Sequence, residues 1–584
     1  MPTLNWIGKE KVVTHHQDVP YRVLEKKYTF GDTPDSGNKI IHGDNLEALK
    51  ALLPEYEGKI NCIYIDPPYN TGEEKWIYND NVNDPHIQKW LHDTFHESGV
   101  TVDDLTRHDK WLCMMYPRLS LLRKLLSKDG IIFISIDNNE QANLKNICDE
   151  IFGCDNFAGT FSWKCRAKPS NTGSAKVKPQ NDSEYVFCYK GDGVPSFLTV
   201  ASGKERSYPH VDKDGYYRLQ TILKSNRGEN KRETMTFSLA GYTPPPTKRW
   251  QAGETTIRDL YDNNRITFET GEPMLKYYQH EEEEETSPFW CYIAPSVSKT
   301  AEFGKNTLND ILGNMHGFDT VKPVPLIEYL LKHSMPKDGI VLDSFAGSGT
   351  TAHAVLNLNK QDGGNRKYIL CEMCDYAEQI TAERVRRVIT GYDYKGKVEQ
   401  ELYCKSLNVK NLINGQAILD EANDVIQNNK NKYDKISKPS LINNCIKVIG
   451  TKIIKEKMEG TGGSFDFYEL GETIFDPVTE NLNDNADTEQ IRRYVWYSET
   501  NTAYVKPSKD AHPYLLGTYQ LNNYYFYYIK NEETCLDWDF LNTFTQKDKA
   551  EMYIIYADRC ILTEEEMMRM NIRFKKIPRD IKRV

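Results

Sequence analysis

The chain has 584 residues, long for one hydrophobic core, so several domains are expected. Its composition of 39% hydrophobic and 27% charged residues, with no run of about 18 apolar residues, excludes a helical membrane protein. A net charge of −10 excludes a uniformly positive surface, so any nucleic-acid binding must use a local basic patch.

The opening residues MPTLNWIGKEKVVTHH lack the apolar core of a secretory signal, and the expected location is the cytoplasm. Thirteen cysteines without a regular framework fit reduced thiols there. In chain order, Lys39 to His42 and Ile60 to Ile65 read as strands around a helix over Asn45 to Leu53, the beginning of a βαβ pattern. A helix through Leu112 to Leu126 leads to Gly130 and the run IIFISID, whose unbroken apolar character suits a strand buried on both faces of a parallel sheet. The next helix sets Leu144, Ile147, Cys148 and Ile151 on one face and ends at Gly153.

From about Asn156 to Trp290 this rhythm is lost, and strand-like pieces such as SEYVFCY alternate with Pro, Gly and charge clusters, as in an inserted β-rich module. Between Trp163 and Asn181 lie Lys164, Arg166, Lys168, Lys176 and Lys178 with no acidic residue, a local basic stretch. The acidic run Glu281 to Glu285 reads as a mobile, solvated loop. The α/β rhythm returns with a helix around Leu326 to Leu331, the strand IVLDSF, a helix from Thr351, the strand YILCEM and a helix carrying Ala377, Ile380, Val385 and Val388. Cys371 and Cys374 form a CxxC without a second pair or suitably spaced histidines, so no metal is expected. Beyond Leu412 a polar stretch resembles a linker, followed by the aromatic run YYFYYI and a last helix from Thr563 with a capping box to Glu566.

Two constellations carry chemistry. Asp66, Pro67, Pro68 and Tyr69, followed by Asn-Thr-Gly, leave a strand at its carboxyl end, where open α/β sheets place ligands. Two prolines fix φ and remove amide hydrogens, so the turn can hold a carboxylate, a carbonyl and a ring in a set arrangement. Such groups suit an exocyclic amine: the Asp66 carboxylate and Pro67 carbonyl accept its hydrogens, and Tyr69 stacks on an extruded base. The second constellation, Asp343 to Thr351, reads DSFAGSGTT between a strand and a helix. Gly347 and Gly349 allow close backbone approach, and the following helix turns its positive end toward a ligand carboxylate. Gly349 is followed by Thr350 and Thr351, not Lys-Ser or Lys-Thr, and GxGxxG is missing, which argues against a nucleotide-triphosphate loop and a dinucleotide loop alike. Glu372, at the next strand's end, is placed to accept from ribose hydroxyls.

The order of DPPY first and FAGSG last resembles the β class of amino-methyltransferases. That resemblance implies an α/β fold: a Rossmann-like class I methyltransferase sheet, circularly permuted, with an inserted β-rich target recognition domain and an α+β C-terminal domain. It implies S-adenosylmethionine as cofactor, held by Asp343, Phe345, Gly347, Gly349, Thr350 and Glu372, with Asp44 of HGDN near the adenine and Lys322 and Pro323 lining the methionine end. NWIGKEKVV, SWKCRAK followed by NDSEYVFCY, and the GTGG near Gly460 are similar to modification subunits of type III restriction-modification systems. On that basis the expected partners are duplex DNA, a second copy of the chain and a nuclease-helicase restriction subunit, the target being adenine N6. Cytosine N4 is the alternative base, and the alternative roles are a solitary methyltransferase, a catalytically silent DNA-reading subunit or an RNA methyltransferase. The implied domains are an extension over 1–38, a catalytic half over 39–155, a target recognition region over 156–320 beginning within the last sheet strands, a cofactor half over 321–410 and a C-terminal domain over 411–584 for dimerisation or partner contact. Lys164, Arg166, Lys168, Lys176, Lys178 and Arg218 are the expected DNA contacts.

Overall fold

The computed structural model describes residues 3–71, 107–168, 179–193, 197–201, 206–227, 231–282, 286–406, 414–442, 444–476, 479, 481–483, 485–545, 549–578 and 580–581. They fall into two compact units, Met1–Leu198 with Trp290–Val584, and Thr199–Phe289. The larger unit builds one ten-stranded sheet from β1 (Arg22–Phe30), β2 (Lys39–His42), β3 (Ile60–Ile65), β4 (Leu126–Ile136), β5 (Phe157–Lys164), β6 (Ser183–Lys190), β7 (Tyr292–Ile293), β8 (Ile340–Asp343), β9 (Lys367–Glu372) and β10 (Phe465–Thr473). Their order across the sheet is β1-β10-β2-β9-β8-β3-β4-β6-β5-β7. The strands from β10 to β4 run parallel. Beyond them β6 is antiparallel to both β4 and β5, and β1 closes the other edge antiparallel to β10.

Six helices matter for the site: α1 (Asn45–Tyr56), α2 (Arg107–Leu125), α3 (Gln141–Phe152), α4 (Val324–Ser334), α5 (Thr350–Asp362) and α6 (Glu383–Thr390). The central strands are apolar on both faces because helices cover both. Ile60, Cys62, Ile63 and Ile65 of β3 and Ile132, Phe133 and Ile134 of β4 are fully buried. Each such aliphatic side chain stabilises the fold by about 1.5–3 kcal/mol relative to exposure.

The decisive pairing joins remote parts of the chain: β8 lies parallel to β3, with Val341 opposite Cys62 and Leu342 opposite Ile63. From β8 the chain proceeds to β9 on one side, and from β3 to β4 on the other. Carboxyl ends that diverge in this way leave a crevice between them, the usual ligand position in open α/β sheets.

The structure draws the domains differently from the sequence reading. The compact second unit, Thr199–Phe289, is narrower than 156–320, because β5, β6 and β7 complete the main sheet. The supposed extension over 1–38 supplies β1, and the supposed separate C-terminal domain supplies β10, inserted between β1 and β2. Phe465 and Phe467 of β10 are buried, while Asp466 between them binds Lys26 and Thr29 of β1, a polar contact that hides the strand in a pattern reading. The polar stretch after Leu412 holds a helix, Gly415–Asn429, flanked by a long antiparallel pair, Gly391–Ser406 with Cys445–Glu459. The last helix is as expected: Thr563 and Glu566 form a capping box on Glu564–Arg569.

The smaller unit is β-rich, with a four-stranded sheet over a core that includes Ile222, Trp250, Ile257 and Leu275. Part of its acidic run is not a solvated loop. Glu281 pairs with Arg265, and Glu282 pairs with Arg206 and Arg218, while 283–285 lie outside the described residues.

The β10 insertion makes a testable energetic claim. The Phe467 ring stacks on Tyr28 of β1 at 5.1 Å between centroids. Phe467→Ala should therefore lower unfolding free energy by about 3–5 kcal/mol in the transition that melts the main sheet. An unchanged denaturant midpoint would remove β10 from the cooperative core.

Candidate active site

Asp66, Pro67, Pro68 and Tyr69 come directly after β3, as the sequence predicts, and the turn they make is pinned from two helices. The indole Nε1 of Trp111 on α2 donates to the Pro68 carbonyl at 2.7 Å. Asn70 is fully buried in the left-handed region at φ 59°, a conformation Asn tolerates better than most residues. Its amide Nδ2 donates to the Arg107 carbonyl and to the carboxylate of Glu140. Glu140, fully buried before α3, also engages His108 at 2.6 Å and Asn143 at 2.8 Å. Because prolines offer no amide hydrogens, these side chains do the anchoring that backbone bonds would otherwise do.

The Asp66 carboxylate has two unlike oxygens. Oδ2 accepts from the Lys322 ammonium at 3.0 Å. Oδ1 is buried with no hydrogen-bond partner among the described residues. Lys322 stands between Asp66 and Glu184, whose Oε2 is 3.2 Å away and also accepts from the Tyr69 hydroxyl at 3.0 Å. The ammonium lies 4.8 Å from the centre of the Tyr69 ring and 5.7 Å from that of Trp163. Burial works against a charge on Lys322, but the Asp66 and Glu184 carboxylates outweigh it and hold the ammonium above its usual range. Burial first, then Asp66 and Glu184, push the Tyr69 phenol well above its ordinary value, so it stays a neutral donor.

The glycine turn between β8 and α5 occupies the neighbouring strand end. Asp343 accepts from the Phe345 amide at 3.1 Å and from the Thr351 hydroxyl, so its carboxylate ties the turn together. Gly347 and Gly349 adopt φ of 51° and 80°, and Gly349 serves as the amino-terminal cap of α5. A Cβ on Gly349 would meet Thr381 at 3.3 Å, so backbone conformation and space both call for glycine there. Glu372, buried at the end of β9, accepts from the Gly347 amide at 2.7 Å and the Cys374 amide at 3.0 Å. Behind the turn, the buried Arg384 of α6 donates to the hydroxyls of Ser348 and Thr350, each at 2.8 Å, and burial lowers its pKa to about 10. Asp44 caps α1 through Oδ1 and meets Arg118 through Oδ2 at 3.4 Å. Arg118 in turn holds Asn45, whose Nδ2 donates to the Ser344 carbonyl at 2.9 Å, linking α2 and α1 to the turn.

Comparison with known proteins places the chain. A sequence model described as DNA methylase matches residues 60–383. The chain belongs to the DNA methylase family. This methylase is 36% identical to the Mod subunit of the type III restriction-modification enzyme StyLTI from Salmonella typhimurium, over 68% of its own length and 62% of that protein's. It is 30% identical to the EcoPI Mod subunit of Escherichia phage P1, over 69% of its length and 68% of the relative's. It is also 31% identical to the type II methyltransferase M.KpnI of Klebsiella pneumoniae, over 58% of its length and 81% of the relative's. The chain thus spans somewhat less than two thirds of the StyLTI subunit.

Several expected residues of the methylase have partners within the chain. Lys322, expected to line a cofactor's methionine end, binds Asp66 and Glu184, and Pro323 caps α4. Asp343 and Thr350 act inside the turn and its support. Of the basic residues, Arg166 and Lys168 are exposed, and Lys164 pairs with Asp182 at 3.4 Å. Arg218 is taken by Glu282 and lies over Tyr277, while Lys176 and Lys178 lie outside the described residues. Sequence reasoning missed Glu184, Glu140, Trp111 and Arg384, and named Asn70 only as part of the motif, without its anchoring role. Glu184 had a signal, as one of two acidic residues in NDSEYVFCY.

Burial pushes the Asp343 carboxyl up to about 7, against its ordinary 3.8. A raised folded-state value means that folding takes up a proton there. The resulting stability is complete below about pH 4 and is lost as pH rises through about 7. Asp343→Asn does not titrate, so between those pH values the difference in unfolding free energy should move by about 2–4 kcal/mol in the variant's favour. Parallel denaturation curves across that range would show that the carboxyl is ionised throughout.

Proposed function

We propose that this methylase transfers a methyl group from S-adenosylmethionine to the N6 amine of adenine in duplex DNA, as the modification subunit of a type III restriction-modification system. The observation that carries the reading is the pairing of β3 with β8. It puts Asp66, one of whose oxygens is buried with no partner among the described residues, at the strand end next to the glycine turn.

The residues present fit the cofactor. Gly347 and Gly349 leave the backbone bare at the amino end of α5, where a ligand carboxylate is favoured. Glu372, which accepts from the Gly347 and Cys374 amides and is also bonded by the Tyr376 phenol, sits at the end of β9, where acidic residues of nucleoside-binding sheets meet ribose hydroxyls. Phe345, Gly347, Gly349 and Glu372 would hold it, with Asp44 near its adenine. When bound, it supplies a methyl group already activated on a sulfonium.

The chain's own work is binding, alignment and exclusion of water. An exocyclic amine is a poor nucleophile because its lone pair is delocalised into the ring. Hydrogen bonds accepted by Asp66 Oδ1 and the Pro67 carbonyl favour a pyramidal nitrogen whose lone pair points across the crevice. Tyr69 supplies a flat apolar face for the extruded base, and Trp111 and Asn70 keep the turn from yielding. Asp66 is the acceptor when the product nitrogen sheds its proton.

The strand order fits a circularly permuted class I methyltransferase sheet, with β8 as its first strand and β3 as its fourth. Target reading would fall to the β-rich unit Thr199–Phe289 together with the basic segment from Lys164 to Lys178. A homodimer and a nuclease-helicase partner are inferred from the likeness to type III subunits. The likeness to M.KpnI favours one second reading, a solitary methyltransferase that needs no such partner.

The test is transfer of labelled methyl from S-adenosylmethionine to duplex DNA, with the product nucleoside identified. N6-methyladenine is expected, and N4-methylcytosine would change the target base. Asp66→Ala should cut kcat by on the order of 10²–10³-fold while donor binding is retained. Undiminished methylation by that variant would overturn the mechanism.

A further inference from the structure

The Glu184 carboxylate touches both cationic and aromatic parts of the catalytic corner, and neither the proline turn nor the glycine turn contains it. It comes from β6, outside the parallel strands that carry Asp66 and the glycine turn. Its register opposite Trp163 of β5 sets both side chains beside Lys322. We propose that Glu184 is a positioning residue for methyl transfer: it holds the Lys322 ammonium and the Tyr69 hydroxyl together, and so keeps Asp66 open to the target amine. This rests on the adenine-methylation reading.

Lys322 is shared by two carboxylates at 3.0 and 3.2 Å, in a corner where its side chain is only 11% exposed. The cluster of Asp66, Lys322 and Glu184 carries one net negative charge, which favours a sulfonium and the positive charge that develops on the amine nitrogen. Take away the charge on Glu184, and the ammonium has one anion left to serve. It would then bind Asp66 alone and compete with the amine for the same oxygens. The Tyr69 hydroxyl bond to Glu184 at 3.0 Å fixes the tilt of the ring on which the base would rest. Glu184 thus acts through its neighbours and need not touch the substrate.

Glu184→Gln keeps the volume and an acceptor for Tyr69 while removing the charge. Glu184→Asp keeps the charge, and Tyr69→Phe keeps the ring without its hydroxyl. Rates of labelled methyl transfer to duplex DNA should show kcat for Glu184→Gln reduced on the order of 10²-fold, with KM for donor and DNA changed less than about threefold. Glu184→Asp should recover about tenfold of that loss, and Tyr69→Phe alone should cost about tenfold. Because the two groups share a bond, the Glu184→Gln, Tyr69→Phe double variant should lose less than the product of the single losses.

Wild-type kcat in Glu184→Gln would overturn the proposal, as would equal losses in the Gln and Asp variants with a lowered melting temperature. Should Glu184→Gln fail to fold, wild-type kcat in Tyr69→Phe would overturn it. Failure of the underlying reading looks different: the unaltered chain would incorporate no label at all.

Discussion

The pairing of β3 with β8 is the constraint on which the site depends. Neither strand has a solvated face, so each is stable only in the middle of a helix-covered sheet. Burial therefore forces two segments that are distant in the chain into hydrogen-bonded contact. Their side chains matter less to function than where they stop. The two strands end side by side, β3 slightly beyond β8, and the turns that leave them, one built on prolines and the other on glycines, flank the crevice between them. Packing energy thus sets the distance between the proline turn and the glycine turn.

Around that crevice, rigidity comes from buried polar groups that each hold several neighbours. Glu140 takes hydrogen bonds from Asn70, His108 and Asn143, and Asp343 ties a backbone amide to a threonine hydroxyl. A buried carboxylate left alone would cost several kcal/mol, so each of these groups locks its neighbours by requiring them. Arg384 is the counterexample in sign, a buried cation whose Nη1 donates to two hydroxyls while its Nε has no partner among the described residues. It braces the glycine turn from behind without bringing a carboxylate toward the place where an acidic ligand group would bind.

Much of the sheet was legible because its signals are local. The runs at Ile60 to Ile65 and Ile131 to Ile136 are apolar without alternation, and DPPY and FAGSG combine residue types whose backbone restrictions have few other uses. What could not be read was pairing over long separations. Nothing in FDFYEL announces that it lies between β1 and β2. Its buried Asp466 argues against a core strand until Lys26 and Thr29 are seen beside it. Likewise SWK and NDSE read as parts of an inserted module, and only the antiparallel register of β5 on β6 brings Trp163 and Glu184 to Lys322. Arg218, a basic residue in a region expected to read DNA, has a carboxylate partner within the same unit, at Glu282, which its sequence neighbours do not announce.

The position of β10 has a consequence for biosynthesis. The inner neighbour of β2 on that side is made of residues 465–473, which leave the ribosome after every other strand of the sheet has emerged. Until then Lys39–His42 presents an unpaired edge, and nascent chains crowded on one messenger would be prone to associate through it. Shielding of that edge during the later stages of translation thus bears on how well this topology assembles.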